Sequence, residues 1–305
     1  MTGYADVTVI VPAFRAASTI DRALASVAAQ TLKPRAVVVV DDGSPDDTFE
    51  RAQAWQGRVN GVALTTLKQP NSGPGAARNR ALLEARTEWV AFLDADDEWL
   101  PTKLERSMAH AEAGRYVLVA HDSVEVEGGT ERRLDCARRF QAARSPFVGL
   151  YRRGFIDTAT VVARLDAVRS AGGFDTSLPN AQDFDLWLAM LSPPEARFFV
   201  FDEVLSRYHR TPGSIMSHID RRLDCCMIIA RRYAPSLAAH AGSPLASLMF
   251  RTLAIHREAV EAHYAKGDWI AVMRTMLALI INFTTSSTAY LGGRLNDGRP
   301  PRFPA

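Results

Sequence analysis

Ala36-Val37-Val38-Val39-Val40-Asp41-Asp42-Gly43-Ser44-Pro45 runs from β-branched residues straight into two carboxylates and a turn. Valine is stiff at χ1 and packs well on a pleated surface, so residues 36–40 predict a strand. The run is apolar at every position rather than at every second one. A strand of that kind is covered on both faces, as in a parallel sheet. Burying two carboxylates for structure alone is costly, which places Asp41 and Asp42 at the edge of a cleft. Asp-Asp-Gly-Ser is also good turn chemistry, and this stretch alone does not separate the two readings.

The flanking sequence repeats the pattern. Residues 7–11, 62–67 and 89–93 read as further strands, each followed by a helical stretch of about a dozen residues. Ser18 or Thr19 can cap a helix to about residue 30, with Ile20, Leu24 and Val27 on one face. Strand and helix in alternation imply a mostly parallel sheet with helices on both sides, whose ligands bind outside the carboxyl ends of the strands. Residues 116–208 read as mixed. Short strands at 116–120, 158–163 and 197–201 surround a helix at 183–191. From about residue 219 the pattern is helical.

Composition narrows the class. The chain has 305 residues, 47% apolar and 23% charged, which is ordinary for a soluble globular protein. Its 36 basic and 34 acidic residues leave a net charge of +2, so a nucleic-acid partner is not expected. Cys136, Cys225 and Cys226 are too few for a disulfide framework and read as reduced thiols in the cytoplasm. The apolar run at 7–11 is short, lacks a basic flank and stops at Pro12, so it reads as a strand and not as a leader. Residues 273–291 are apolar but interrupted by Arg274, Asn282 and a Thr/Ser run. They predict a buried or interfacial helix that docks on the α/β domain or on the inner membrane face without spanning it.

Two more strand ends carry chemistry. Leu93-Asp94-Ala95-Asp96-Asp97 holds three carboxylates that repel one another unless a cation or solvent relieves them. Hard oxygen donors in this spacing suit Mg2+ or Mn2+ holding a diphosphate. The run is not an EF-hand loop, because no Asp-x-Asp-x-Asp-Gly pattern with a Glu twelve positions on is present. Asn71-Ser72-Gly73-Pro74-Gly75 precedes a helix carrying Arg78, where glycines allow close backbone approach and the helix start favours anions. Neither a Walker A loop nor a dinucleotide fingerprint is present.

In order, Val9-Ile10-Val11-Pro12-Ala13-Phe14, Asp41-Asp42-Gly43-Ser44, Asn71-x-Gly73 with Ala77-Arg78-Asn79, and Phe92-Leu93-Asp94-Ala95-Asp96-Asp97 resemble the family 2 glycosyltransferases of GT-A fold. Gly172-Gly173-Phe174-Asp175 and Asp183-Phe184-Asp185-Leu186-Trp187 continue the resemblance, which covers about residues 7–217. It implies an α/β, GT-A (nucleotide-diphospho-sugar transferase) fold with a helical C-terminal appendage. Residues 1–217 would form the catalytic domain, with a nucleotide-binding half at 1–115 and an acceptor half at 116–217. Residues 218–305 would be the helical extension.

The resemblance also implies roles. Asp41 or Asp42 would hold the nucleobase, and Pro12, Ala13, Gly73, Arg78, Asp94 and Ala95 would line the nucleotide-sugar. Asp96 would carry the metal, with His209 completing its shell or touching the diphosphate. Gly173, Phe174 and Asp175 lie on the acceptor side, and Trp99 and Trp187 are candidates for stacking on sugar rings. Where the family usually writes Glu-Asp, this chain has Gln182-Asp183. Asp183 is then the expected general base, with Asp185 as its rival.

The implied reaction is an inverting hexosyl transfer from a nucleotide-diphosphate sugar, expected to be a UDP-sugar, to a glycan or lipid-linked acceptor in polysaccharide biosynthesis. A carboxylate takes the proton of the acceptor hydroxyl, and Mn2+ or Mg2+ offsets charge on the leaving diphosphate. The expected location is cytoplasmic, with peripheral association at the inner face of the membrane. The alternatives are a nucleotide-binding scaffold without turnover and a sugar nucleotidyltransferase. The second wants a glycine-rich loop after the first strand, and Pro12 to Ala17 contains no glycine.

Overall fold

Alternate residues of the first strand go to opposite sides of one sheet. In β1 (Tyr4–Ala13), Val7, Val9 and Val11 join one buried cluster, while Ile10 joins the other. The same split divides Val37 and Val39 from Val38 and Val40 in β2 (Lys33–Asp41), and Ala91 from Phe92 in β4 (Trp89–Phe92). This is the two-faced burial that an uninterrupted apolar strand requires. The computed structural model describes residues 3–59, 61–210 and 218–295.

The described residues form a nine-stranded sheet. With β3 (Ala63–Lys68), the first four strands pair in parallel in the order β3-β2-β1-β4. The chain moves outward from β1 to β2 and β3, then returns to the other side of β1 as β4. That reversal opens a crevice at the carboxyl ends of β1 and β4. The sheet continues through β8 (Val162–Arg164), β6 (Leu118–Glu127), β9 (Phe198–His209) and β5 (Glu98–Trp99), and β7 (Thr130–Leu134) hairpins onto β6. β8 runs antiparallel to both β4 and β6. The strand expected at 158–163 is therefore divided: Thr158–Thr160 is a single 3-10 turn and only the residues after it pair.

Helices cover both faces. One side takes α1 (Ile20–Ala28), α2 (Thr48–Gln53) and α4 (Lys103–Ala113), whose Ile20, Leu24, Ala52, Leu104 and Met108 are buried there. The other side takes α3 (Pro74–Glu84), α6 (Pro146–Arg153), α7 (Leu165–Ser170) and α8 (Gln182–Leu191). α5 (Cys136–Gln141) also lies here. Three further helices follow: α9 (Ile219–Tyr233), α10 (Pro244–Ala265) and α11 (Trp269–Leu291). α9 and α10 share the core of this side, since Met227, Ile229 and Leu248 belong to the cluster that holds Trp187. The boundary expected near residue 217 and the tail after 295 lie outside the described residues. All three cysteines are free and buried.

Candidate active site

The carboxyl ends of β1 to β4 bring four sequence motifs together. Pro12 and Ala13 pair in register with Val40 and Asp41, and the Asp42 amide donates to the Ala13 carbonyl at 2.8 Å. Asp42 then closes the loop after β3. Its Oδ1 accepts from Gln69 Nε2 at 2.8 Å and from the Ser72 amide at 2.9 Å, and its Oδ2 accepts from the Gly73 amide at 2.8 Å. Gly43 makes this packing feasible: it has φ +73°, and a Cβ on it would lie 2.9 Å from the Asn71 amide nitrogen. Asp41 is differently placed. Its Oδ1 accepts from the Ser44 amide at 3.2 Å, whereas Oδ2 has no hydrogen bond and sits 3.7 Å from Lys68 Nζ. The two adjacent carboxylates thus divide: Asp42 is spent on the loop and Asp41 keeps an acceptor.

Gly73 caps α3 and Pro74 opens it, a position where the missing proline N–H costs nothing. One turn in, Arg78 is buried. It pairs with Asp94, and its guanidinium lies 5.2 Å from the centre of the Phe174 ring. Arg78 therefore positions Asp94, instead of standing open toward a nucleotide. Its neighbour Asn79 exchanges two hydrogen bonds with the Phe174 backbone, at 2.9 and 2.8 Å. That clamp fixes the Gly172-Gly173-Phe174-Asp175 turn against α3.

The acidic turn after β4 is crowded. Asp94 and Asp96 are partly exposed, Ala95 and Asp97 are buried, and Arg22 donates to the Asp96 carbonyl. The Asp97 carboxyl accepts from the His209 amide at 3.0 Å. Burial first, then the charges of Asp94, Asp96 and Asp157, hold it well above the usual carboxylate range. His209 lies within 3.5 Å of Glu98, and its Nε2 has no hydrogen-bond partner. Residues 211–214, expected to continue this loop, lie outside the described residues.

No group of three or more His, Cys, Asp or Glu side chains among the described residues forms a ready metal site. The donor set still suits a hard divalent cation. Mg2+ and Mn2+ are commonly held by one or two carboxylates with the remaining oxygens supplied by a substrate phosphate. Crowded aspartates and the His209 Nε2, which makes no hydrogen bond and has only Glu98 near it, fit that mode.

Across the crevice, Asp183 lies in the first turn of α8 and is partly exposed. Thr158 Oγ1 donates to its Oδ2 at 2.7 Å, and the Phe184 amide donates to its Oδ1 at 2.8 Å. Asp185, two residues further along the helix, is fully buried. It accepts from Arg232 Nη1 at 2.7 Å, and the same nitrogen donates to Asp175 at 2.9 Å. Asp175 and Asp185 are therefore partners in a buried ion cluster that ties α8 to α9. Neither is placed as a base or as an acceptor contact. Gln182 is buried and packs against Gly75, donating to the Leu178 carbonyl at 2.5 Å.

Three aromatic expectations are corrected. Trp187 and Phe174 are fully buried against Phe92, with ring centroids 5.7 and 5.5 Å from it. Trp99 is buried as well, its indole donating to the Ala159 carbonyl at 2.8 Å. These rings hold strand ends together and present no face to a sugar.

One residue escaped the sequence reading. Asp157, in the turn before β8, accepts from Ser123 Oγ at 3.2 Å. Burial, then the charges of Asp183 and Asp94, push it up to about 7. It lies within the field of both the acidic turn and the expected base. In sequence it is a lone aspartate between Ile156 and Thr158, and no spacing marks it.

A parallel half-sheet whose strand ends gather aspartates, continued by an antiparallel half, is the arrangement of a GT-A-type glycosyltransferase. Residues 8–168 match the family model described as Glycosyl transferase family 2. The chain belongs to that family. It is 32% identical over 248 residues to the succinoglycan biosynthesis protein ExoO of Rhizobium meliloti, covering 75% of this chain and 69% of that protein. It spans only 32% to 40% of several other curated relatives. Among solved structures, Staphylococcus aureus TarS 1-349 in complex with UDP-GlcNAc matches with a TM-score of 0.65 at 19% identity, over 98% of this chain and 99% of that one. The mannosyltransferase PcManGT of Pyrobaculum calidifontis, in complex with GDP-Man and Mn2+, matches with a TM-score of 0.61 at 21% identity, over 98% and 89%. The protein is a glycosyltransferase.

Proposed function

We propose that this enzyme transfers a hexosyl group from a UDP-sugar to a glycan or lipid-linked acceptor hydroxyl by a single displacement that inverts the anomeric centre, with Asp183 as general base. One observation carries the reading: Asp183, held by the Thr158 hydroxyl and the Phe184 amide, shares with Asp94 of the acidic turn the electrostatic field at Asp157. Asp41 is fully buried but has an oxygen without a hydrogen bond, which would accept a uracil N–H once Lys68 swings aside. Pro12 and Ala13, buried at the carboxyl end of β1, would back the donor, and the Gly73 turn would let it approach the backbone. Asp96 and His209 would hold Mn2+ or Mg2+, with Asp94 fixed beside them by Arg78. That ion, when bound, supplies a positive charge for the leaving diphosphate.

Asp183 accepts the hydroxyl proton as the new C–O bond forms, since an alcohol is a poor nucleophile at neutral pH. The bond to the diphosphate breaks on the opposite face, so one base and one displacement give inversion. Succinoglycan synthesis in the ExoO relative supports a role in polysaccharide assembly, and the ligands of the two structural neighbours support a nucleoside-diphosphate sugar.

Donor hydrolysis across UDP-, GDP- and dTDP-sugars with Mn2+ tests this. Turnover of a UDP-sugar is expected, lost in chelator and nearly abolished in a folded Asp96→Ala variant. Full activity in excess chelator rejects the metal assignment, and tight GDP with no UDP binding by calorimetry rejects the donor assignment.

A further inference from the structure

α11 is built inside out. Its buried positions are Ala271, Val272, Thr275 and Ser286. Arg231 of α9 reaches beneath it, donating to Ser286 Oγ at 2.9 Å, Asn282 Oδ1 at 2.8 Å and Thr285 Oγ1 at 3.2 Å. Asn282 in turn lies 3.1 Å from His256 of α10. The outward side is apolar: Ile270, Met273, Leu277, Ile280 and Ile281 are 53% to 84% exposed. A helix on a water-facing surface places these two sides the other way round.

We infer that the outward face of α11, with the α10–α11 corner, seats in an anionic lipid surface with the helix lying in the membrane plane. The proposal does not depend on the transfer chemistry above. At 3.6 residues per turn the exposed apolar positions, from Met276 round to Ile281, sweep about 140° of the helix. That is broader than the narrow seam of a two-helix contact. The corner is aromatic. Tyr264 and Trp269 are about 60% exposed and meet edge to face at 5.1 Å, and such rings favour the boundary between hydrocarbon and water.

Charge complements a lipid surface of negative sign. Residues 269–291 contain no Asp or Glu, and their one cation, Arg274, is neutralised by Asp220 at 2.6 Å. Lys266 precedes the helix and is offset by the capping Asp268, while Arg294, Arg299 and Arg302 follow it with Asp297 among them. α11 is long enough to cross a bilayer and has a mean hydropathy of 1.3. Crossing would strip Asn282 and Ser286 from Arg231, or drag that guanidinium into hydrocarbon. Lying flat keeps every one of those bonds.

Flotation of the full chain with vesicles decides the matter. Binding is expected to phosphatidylcholine vesicles containing phosphatidylglycerol, to be weaker with phosphatidylcholine alone, and to be released by carbonate. A variant with Ile270→Gln, Met273→Gln and Leu277→Gln should lose at least about tenfold in vesicle affinity, while its circular dichroism and donor hydrolysis match the parent. Three results overturn the proposal. One is no flotation with either vesicle. Another is a dimer in sedimentation velocity that the triple variant abolishes, without vesicle binding, which would assign the face to a second copy. The last is carbonate-resistant binding, which would mean that the helix spans.

Discussion

At the scale of single residues, the site separates three aspartates that the sequence sets within eleven positions. Asp183 is partly exposed and hydrogen-bonded by a hydroxyl, whereas Asp175 and Asp185 are buried on Arg232. The expected outcomes diverge accordingly. Asp183→Asn keeps the fold, because the amide oxygen can still accept from Thr158 or from the Phe184 amide, and lowers kcat by about 10^2 to 10^4. Asp185→Ala leaves the half-buried Arg232 guanidinium with Asp175 alone and costs on the order of 2 kcal/mol of stability. Steady-state rates and urea unfolding on both variants check this. Thr158 should behave as a positioning residue. Thr158→Val is expected to lower kcat about tenfold, the scale of one hydrogen bond to a charged group, with the donor KM unchanged. Thr158→Ser should restore the rate. Equal kcat in the valine and serine variants would remove that role.

At the scale of elements, α3 and α8 meet through a glycine. A Cβ on Gly75 would fall 2.4 Å from Gln182 Oε1 and 2.7 Å from its Cδ. Gly75→Ala must push that buried amide off the Leu178 carbonyl, at a cost of about 1 kcal/mol for the lost bond. With Gln182→Ala already in place the obstacle is gone. The same Gly75→Ala change should then stabilise by roughly 0.5 kcal/mol, because alanine favours helix over glycine. A double-mutant cycle read by denaturant unfolding is expected to show this change of sign. The contact also accounts for a neutral Gln before Asp183, since the side chain at 182 packs inward and does not share the crevice.

For the molecule as a whole, one contribution to acid sensitivity comes from a core imidazole. His121 of β6 is fully buried, with Nδ1 2.8 Å from the Asp122 carbonyl, and its ring lies 5.6 Å from that of Phe201. Burial first, then the charge of Lys103, pulls it down to about 3 from 6.5. The unfolded chain therefore takes up this proton below pH 6.5 and the folded chain does not. Stability from this group is complete above that pH and is lost progressively as pH falls toward 3. By pH 5 the loss amounts to about 2 kcal/mol. His121→Phe removes the titration, so from pH 8 to pH 5 the stability of the variant relative to the parent should rise by about 2 kcal/mol, as measured by urea unfolding.

The alternating apolar runs and the carboxylates that end them were enough to determine the parallel half-sheet and the edge on which the site lies. Both are local in sequence: side-chain period sets burial, and a strand end sets where its polar residues emerge. Tertiary structure alone decided the division of labour. Nothing in Asp41-Asp42 tells which carboxylate closes a loop, because Gln69, Ser72 and Gly73 arrive from another strand. Trp99, Phe174 and Trp187 follow motif residues yet are core, since rings are placed by what packs over them. Asp157 became visible only when a turn far along the chain carried it to Asp94 and Asp183. The apolar stretch of α11 announced a helix, but its outward facing depended on Arg231 claiming the polar side. Periodicity fixes that a helix has two faces, and only its neighbours decide which one is buried.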